Sequence, residues 1–314
     1  MAGQLVATKP EDGERQLKHF RGAAELAGMT FTEFVVPEAY DVLAGRIRLH
    51  YLDWLGPTGA RTILFLHGGA LTAHTWDLTC LALRDEYQCI ALDQRGHGES
   101  EWSAGMDYSR SAYVGDIEHL VDALGLDDFV LVGMSLGGLN SIEFAGRHSD
   151  LLKALVLVDV GPELRLAGTT RIRDFVGADG EFDSLDSVID RAMSFNPRRD
   201  PELLRLSLLN NLRQLPDGKW TWKYDRRHHG RANPEKHARE MQDLAKWVPD
   251  ITCPTLVVRG AESDVFHDED AEKLAGALPA GRWVKVPGAG HTVQGDNPRV
   301  LVEELRRFLG EYAP

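Results

Sequence analysis

The chain has 314 residues, 43% of them hydrophobic and 26% charged, with a formal net charge of −13 at pH 7. That length and balance suit one large α/β domain carrying an insertion, and the acidic excess repels phosphate backbones and anionic lipid, which argues against nucleic acid and membrane as partners. Cys80, Cys89 and Cys253 are too sparse for a metal site and read as reduced thiols of a cytoplasmic protein; the early charges Lys9, Glu11, Asp12, Glu14 and Arg15 leave no apolar signal segment, and no run is long enough to span a membrane.

Residues 1–30 read as an N-terminal extension, with a helix over 14–29 whose weak apolar stripe is Leu17, Phe20, Ala24 and Leu26. The expectation is a surface arm packed on the main domain. Phe31 to Val36 and Arg46 to Trp54 read as strands, the second one alternating, with Ala44-Gly45 as the hairpin turn. Thr62 to Leu66 is apolar on both faces, as in a buried parallel strand, and ends in His67-Gly68-Gly69-Ala70. A helix over Trp76 to Leu83 follows, then a buried strand over Gln88 to Leu92. The loop Asp93 to Ser100 reads as a structural turn held by Asp93 and Arg95, and His97 in it as structural. Ser109 to Leu124 is an amphipathic helix.

Phe129 to Val132 is an apolar, β-branched run, and Leu139 to His148 is helix-like. Between them lies Gly133-Met134-Ser135-Leu136-Gly137, a Gly-x-Ser-x-Gly pattern on a tight turn from strand to helix. Such a turn strains its central residue and brings neighbouring chain close, so glycines two before and two after remove side chains that would clash. It leaves the Ser135 hydroxyl exposed at a helix N-terminus, with the Leu136 N–H directed where an oxyanion would form. Leu155 to Val158 is the next buried strand and ends at Asp159.

The alternation then stops. Residues 162–248 are charged and helical, with helices expected over 182–193, 201–212 and 235–247 and an aromatic run Trp220, Trp222, Tyr224. It resumes with a strand over Pro254 to Val258, a helix over His267 to Leu278, a strand over Arg282 to Val286 and a helix over Asp296 to Leu309. An interruption of roughly 85 residues between two such strands reads as a helical cap over the strands' C-terminal ends, where open α/β sheets bind ligands. The remaining segments, 31–161 and 249–314, form the core.

A serine hydroxyl needs a base, and the base needs an acid to fix its tautomer. His291, in the glycine-rich loop Pro287 to Thr292 after the last strand, is the expected base. Two acids at the sheet edge compete. Asp264 is preferred, because the loops of the last two strands bring it to the far ring nitrogen of His291; Asp159 is the alternative, otherwise a pocket wall or cap for the lid. The expected oxyanion donors are the N–H groups of Leu136 and Gly69, with Ala70 next. Ala70, His74, Met134, Asp159, Trp220 and Trp222 are candidate pocket residues, and Trp76 is expected to pack in the core.

Taken together, His67-Gly68-Gly69, Asp93-x-Arg95-Gly96-x-Gly98-x-Ser100, the Ser135 elbow, Arg259-Gly260-x-x-Ser263-Asp264 and Gly288-x-Gly290-His291 resemble the α/β-hydrolase superfamily over residues 45–310. The resemblance implies a mostly parallel central sheet flanked by helices, with the cap inserted after the sixth strand. It also implies a Ser-His-Asp hydrolase of the esterase and lactonase kind that needs no cofactor and no metal. Serine at the nucleophile position departs from epoxide hydrolases and haloalkane dehalogenases, which use a carboxylate there.

The expected reaction is hydrolysis of a small, fairly apolar carboxylic ester or lactone by a monomer or homodimer. The alternatives are carbon–carbon bond hydrolysis of a dienoate or β-diketone, with Arg171, Arg173 or other cap arginines binding a carboxylate, and a non-catalytic ligand sensor that keeps the fold. His228, His229 and His237 with Arg226 and Arg227 read as a solvated lid surface rather than a metal or anion clamp.

Overall fold

The computed structural model describes residues 3–6, 10–163, 166–177, 180–197, 199–228 and 234–314. The first half of the core is built from β1 (Gln4–Val6), α1 (Pro10–Leu26), β2 (Glu38–Ala44), β3 (Ile47–Asp53), β4 (Thr62–Leu66), α2 (Asp77–Leu83), β5 (Gln88–Asp93), α3 (Arg110–Leu124), β6 (Phe129–Met134), α4 (Leu136–Arg147) and β7 (Leu152–Val158). The insertion carries α5 (Leu166–Gly177), β8 (Glu181–Phe182), α6 (Leu185–Phe195), α7 (Pro201–Asn211), β9 (Leu212–Gln214), β10 (Trp220–Trp222) and α8 (Pro234–Ala245). The core closes with β11 (Thr255–Gly260), α9 (Asp268–Ala277), β12 (Gly281–Val286), α10 (Val293–Asp296) and α11 (Pro298–Tyr312).

Nine strands form one sheet in the order β1-β2-β3-β5-β4-β6-β7-β11-β12. It is antiparallel from β1 to β5 and parallel from β5 to β12. Both faces are covered, which is why the parallel strands read as apolar runs without alternation. On one face Leu64, Leu131, Leu155 and Val257 pack under α3, α4 and α9. On the other, Phe65, Val132, Val156 and Val258 pack with Phe20 of α1, Leu81 of α2 and Leu305 of α11. Trp76 is fully buried against Phe65, their rings 5.2 Å apart.

The structure revises several expectations. Phe31 to Val36 is irregular. Its aromatics pack edge to face at 5.3 Å against the core, and the strand begins only at Glu38, after Pro37, which has no N–H to give a ladder. The N-terminal segment also supplies a strand, β1, paired with β2. The insertion therefore follows the seventh strand of the chain. It holds a small antiparallel sheet, β8-β10-β9, beside its helices and has its own apolar core, including Val176, Ile189, Leu208 and Trp222. Helix α8 belongs elsewhere: Met241 and Leu244 join the cluster under α4. The Asp93 loop is held as expected, with Asp93 accepting the N–H groups of Ala73 and Glu99 and Arg95 making two 2.6 Å bonds to Asp116. His97 is buried there, its Nδ1 bonded to the Arg95 carbonyl. Among the described residues no helix is long and apolar enough to cross a membrane.

Candidate active site

Register places the site. Met134 pairs with Val158 across β6 and β7, so Ser135 and Asp159 are the next residues on adjacent strands. Both have left-handed backbones, with φ of 49° and 51°. Parallel strands lie about 4.8 Å apart, so two strained residues stand side by side at the sheet's C-terminal edge. The elbow depends on its glycines. A Cβ on Gly133 would lie 2.6 Å from the Gly137 carbonyl oxygen and overlap Ser141; one on Gly137 would lie 2.7 Å from the His67 carbonyl oxygen and overlap that of Leu66.

His291 follows β12 in a loop held from below. The Gly290 N–H donates to Asp296 at 2.9 Å, and the Glu262 N–H donates to the Ala289 carbonyl at 2.8 Å. The imidazole Nδ1 lies 2.8 Å from Asp159 Oδ2. Asp159 is fully buried and accepts two further hydrogen bonds, from the Gly260 N–H at 2.9 Å and from Ser263 Oγ at 2.5 Å. A carboxylate so held faces one ring nitrogen, so that nitrogen carries the proton and Nε2 is left with its lone pair. Ser135 and His291 line the same cavity, of about 460 Å³.

Asp264 is not the partner of His291. Its side chain is 53% exposed and pairs at 2.9 Å with Arg171 on the cap. The reason is where each loop points. Asp159 leaves its strand directly beside Ser135, whereas Asp264 lies four residues beyond the end of β11, after a turn whose Ser263 hydroxyl reaches back to Asp159. Asp159 is accordingly no pocket wall. Arg171 also donates to the Phe195 carbonyl and does not line the cavity, so it is not placed to bind a substrate carboxylate. The side chains of Arg173, His228 and His237, and His229 altogether, lie outside what the structure describes; Arg227 is engaged by Asp225.

The loop after β4, expected to supply an oxyanion donor, is held by a set of buried hydrogen bonds. His67 Nδ1 lies 2.7 Å from the Gly68 carbonyl oxygen, while its Nε2 accepts the Gln94 N–H at 3.0 Å. Those two bonds demand the neutral ring protonated on Nδ1, and burial lowers its pKa to about 4, against the opposing effect of the Gly68 hydrogen bond. The Gln94 side-chain amide donates to the His67 carbonyl at 2.7 Å and is itself held by Asn140 at 2.8 Å. The Gly137 N–H takes the same carbonyl at 3.1 Å. Leu136, at the first position of α4, has no intrahelical acceptor for its N–H, and it lines the cavity with Gly69.

Of the expected pocket residues, Ala70, His74, Met134 and Trp222 line the cavity and Trp220 does not. Trp220 sits two residues nearer the turn of the β9–β10 hairpin, about 6.6 Å farther along, and packs on the cap core. Sequence reasoning missed Ser263, Gln94 and the contribution of α1, which brings His19 and Phe20 to the cavity wall. It also missed Arg199, a cap residue on that wall whose Nε lies 3.1 Å from Asp296 Oδ1, beneath the His291 loop. Phe20 was visible as part of an apolar stripe and Ser263 as part of the motif ending in Asp264, though neither was assigned its role; His19 and Arg199 carry no local pattern.

Comparison with known proteins agrees with this architecture. A family model described as the alpha/beta hydrolase fold matches residues 61–298. The chain is 33% identical over 303 residues to the esterase Rv0045c of Mycobacterium tuberculosis, covering 93% of this chain and 96% of that one. A crystal structure of that esterase superposes with a TM-score of 0.74 at 30% identity, over 98% of this chain and all of that one. A 2-(acetamidomethylene)succinate hydrolase of Mesorhizobium japonicum is 27% identical over 249 residues, 79% of this chain and 87% of that protein. The chain belongs to the α/β-hydrolase family and is a hydrolase of that fold.

Proposed function

We propose that this protein is a serine hydrolase that cleaves a small, fairly apolar carboxylic ester or lactone with Ser135, His291 and Asp159. The observation that carries the reading is the 2.8 Å contact between His291 Nδ1 and the buried Asp159 carboxylate, beside a serine on a strained elbow in the same cavity. Ser135 Oγ attacks the carbonyl carbon as His291 Nε2 takes the hydroxyl proton. The N–H groups of Leu136 and Gly69 hold the tetrahedral oxyanion. Collapse breaks the carbonyl carbon–alkoxy bond, and the leaving oxygen takes the proton from His291. Water then attacks the acyl-enzyme, gives its proton to His291, and the acid leaves as Ser135 regains a proton. Asp159 stabilises the imidazolium in both halves without itself taking the proton.

Support for an apolar substrate comes from the wall, where Phe175, Leu208, Trp222 and Tyr224 of the cap face the cavity. The similarity to an esterase over nearly the whole chain points the same way. The test is turnover of p-nitrophenyl butyrate by wild type and Ser135→Ala, with fluorophosphonate labelling of both. Wild type is expected to turn over and to label at Ser135, with activity falling by at least ~10³-fold in the alanine variant. Equal activity in the two proteins refutes the reading.

A further inference from the structure

Resting on the ester-hydrolase reading, we infer that the cavity holds a second polar subsite, made by His74, Asp77 and His19, which receives a neutral hydroxyl or carbonyl oxygen on the non-reacting part of the substrate. Both Asp77 carboxylate oxygens stand 3.1 Å from His74 Nδ1. Nδ1 therefore carries a proton, and Nε2 is the one hydrogen-bonding atom of the ring left for a ligand. His74, Asp77 and, from α1, His19 all belong to the wall of the cavity that holds Ser135 and His291. Asp77 is only 6% exposed. The neighbouring wall is apolar, with Phe20, Ala23, Leu71 and Leu78.

Asp77 stands in the first turn of α2, where a carboxylate favours the helix, but that does not account for the imidazole set against it. Removing a carboxylate and an imidazole from water into an apolar wall returns at best what it costs, and hydrophobic groups of the same volume would serve as well. The geometry repeats that of His291 and Asp159: a carboxylate fixing one ring nitrogen so that the other is presented in a known state. Burial opposes protonation of His74, but the facing Asp77, their hydrogen bond and the more distant Asp93 outweigh it and Lys223, so its pKa is raised. His19 goes the other way, lowered chiefly by burial and also by His74, against the pull of Asp77. The raised pKa favours an N–H at His74 Nε2, and His19, whose charged form burial disfavours, offers a lone pair or an N–H. A hydroxyl or carbonyl oxygen suits that set. A carboxylate does not, because the buried Asp77 carboxylate beside His74 already supplies the negative charge.

The test is a set of p-nitrophenyl esters of one chain length: the plain alkyl ester, a series with a hydroxyl or ketone moved along the chain, and the ω-carboxylate. In the wild type, kcat/KM for the best hydroxy or oxo ester is expected to exceed that of the plain ester by about tenfold, the worth of one hydrogen bond made in the complex. In His74→Phe that ratio falls to about one, whatever the absolute rates, and in His74→Gln, which keeps a donor, it is partly restored. A wild-type ratio near one for every oxygenated ester, or a ratio that survives in His74→Phe, overturns the inference. So does a preference for the ω-carboxylate that disappears in His74→Phe, since that marks an anion site. If wild type and Ser135→Ala hydrolyse the plain ester equally, it is the hydrolase reading that fails; Ser135-dependent turnover without oxygen preference sinks only the subsite.

Discussion

Exchange of Asp159 for asparagine separates the two acids that compete for His291. The side chain keeps its size, and its carbonyl oxygen still accepts the Gly260 N–H now bonded at 2.9 Å. Its NH2 group, however, replaces the oxygen that faces both Ser263 Oγ and His291 Nδ1. An amide donor opposite Nδ1 drives the ring proton to Nε2, where the lone pair that deprotonates Ser135 should be. The loss expected from a wrong tautomer is about 10⁴-fold in kcat, or about 5 kcal/mol of barrier. Asp264→Asn removes only a half-exposed ion pair with Arg171, worth at most about 1 kcal/mol of stability, and activity is expected within about twofold of wild type. The assay is kcat and kcat/KM on p-nitrophenyl butyrate, with thermal unfolding of each variant to show that the fold persists. A folded Asp159→Asn with near wild-type kcat, or an Asp264→Asn that loses three orders of magnitude, refutes the assignment of the acid.

Gly137→Ala drives a methyl group into the Leu66 and His67 carbonyls and displaces the oxyanion loop; a fall in kcat of about 10²–10³-fold, the worth of one oxyanion donor, is expected from steady-state kinetics, with a smaller change in KM. His67 is held neutral with its pKa pushed down to about 4 from 6.5, so its contribution to stability is complete above about pH 6.5 and is lost as pH falls towards 4. The shift of about 2.5 units corresponds to about 3 kcal/mol, measurable as a decline in urea unfolding free energy over that window, and a His67→Asn variant should show a shallower decline. Arg199→Met removes the guanidinium 3.1 Å from the Asp296 carboxylate and leaves it the Gly290 N–H at 2.9 Å and the Asn196 amide at 3.3 Å. Breaking such a buried pair costs about 3–5 kcal/mol, to be read by urea unfolding, and destabilisation below 1 kcal/mol would show the pair to be solvated.

The residues proposed as nucleophile and base stood out in the sequence because their signals are local. Ser135 lies inside a five-residue pattern whose glycines are sterically required, and His291 lies in a glycine-rich loop after the last strand. The acid was not, because it is defined by a contact between residues 132 positions apart. Two aspartates close different strands, and spacing alone does not say which turn aims at His291. A hint was present in the strand end itself. Asp159 follows Val158 without a loop, and aspartate tolerates the left-handed conformation better than most residues, as an elbow beside the serine requires. Helices α6, α7 and α8 lie close to the helices read from the sequence, but α5 was missed, and so was the short β8-β10-β9 sheet, since strands of two or three residues have no period to detect. Helix α1 looked like a weakly amphipathic arm, and only its docking turned Phe20 into a core residue and His19 into cavity wall.

These placements divide the molecule in a way that bears on how its specificity can change. Ser135, Asp159 and His291 hang from β6, β7 and the loop after β12, and every hydrogen bond that fixes Asp159 comes from the sheet edge: Gly260, Ser263 and His291. None comes from the insertion or from α1. The wall of the cavity, by contrast, is built largely by Phe175, Leu208, Trp222 and Tyr224 of the cap and by His19 and Phe20 of α1. The link between the two parts is narrow, running from Asn196 and Arg199 on the cap to Asp296 and on to the backbone of Gly290. Substitutions in the cap and in α1 should therefore redistribute kcat/KM among substrates while labelling of Ser135 by a small fluorophosphonate stays near wild type, except at Asn196 and Arg199, where substrate choice and the base loop are joined. A cap or α1 wall substitution away from Asn196 and Arg199 that abolishes labelling in a folded protein would show that the sheet edge does not hold the reactive groups by itself.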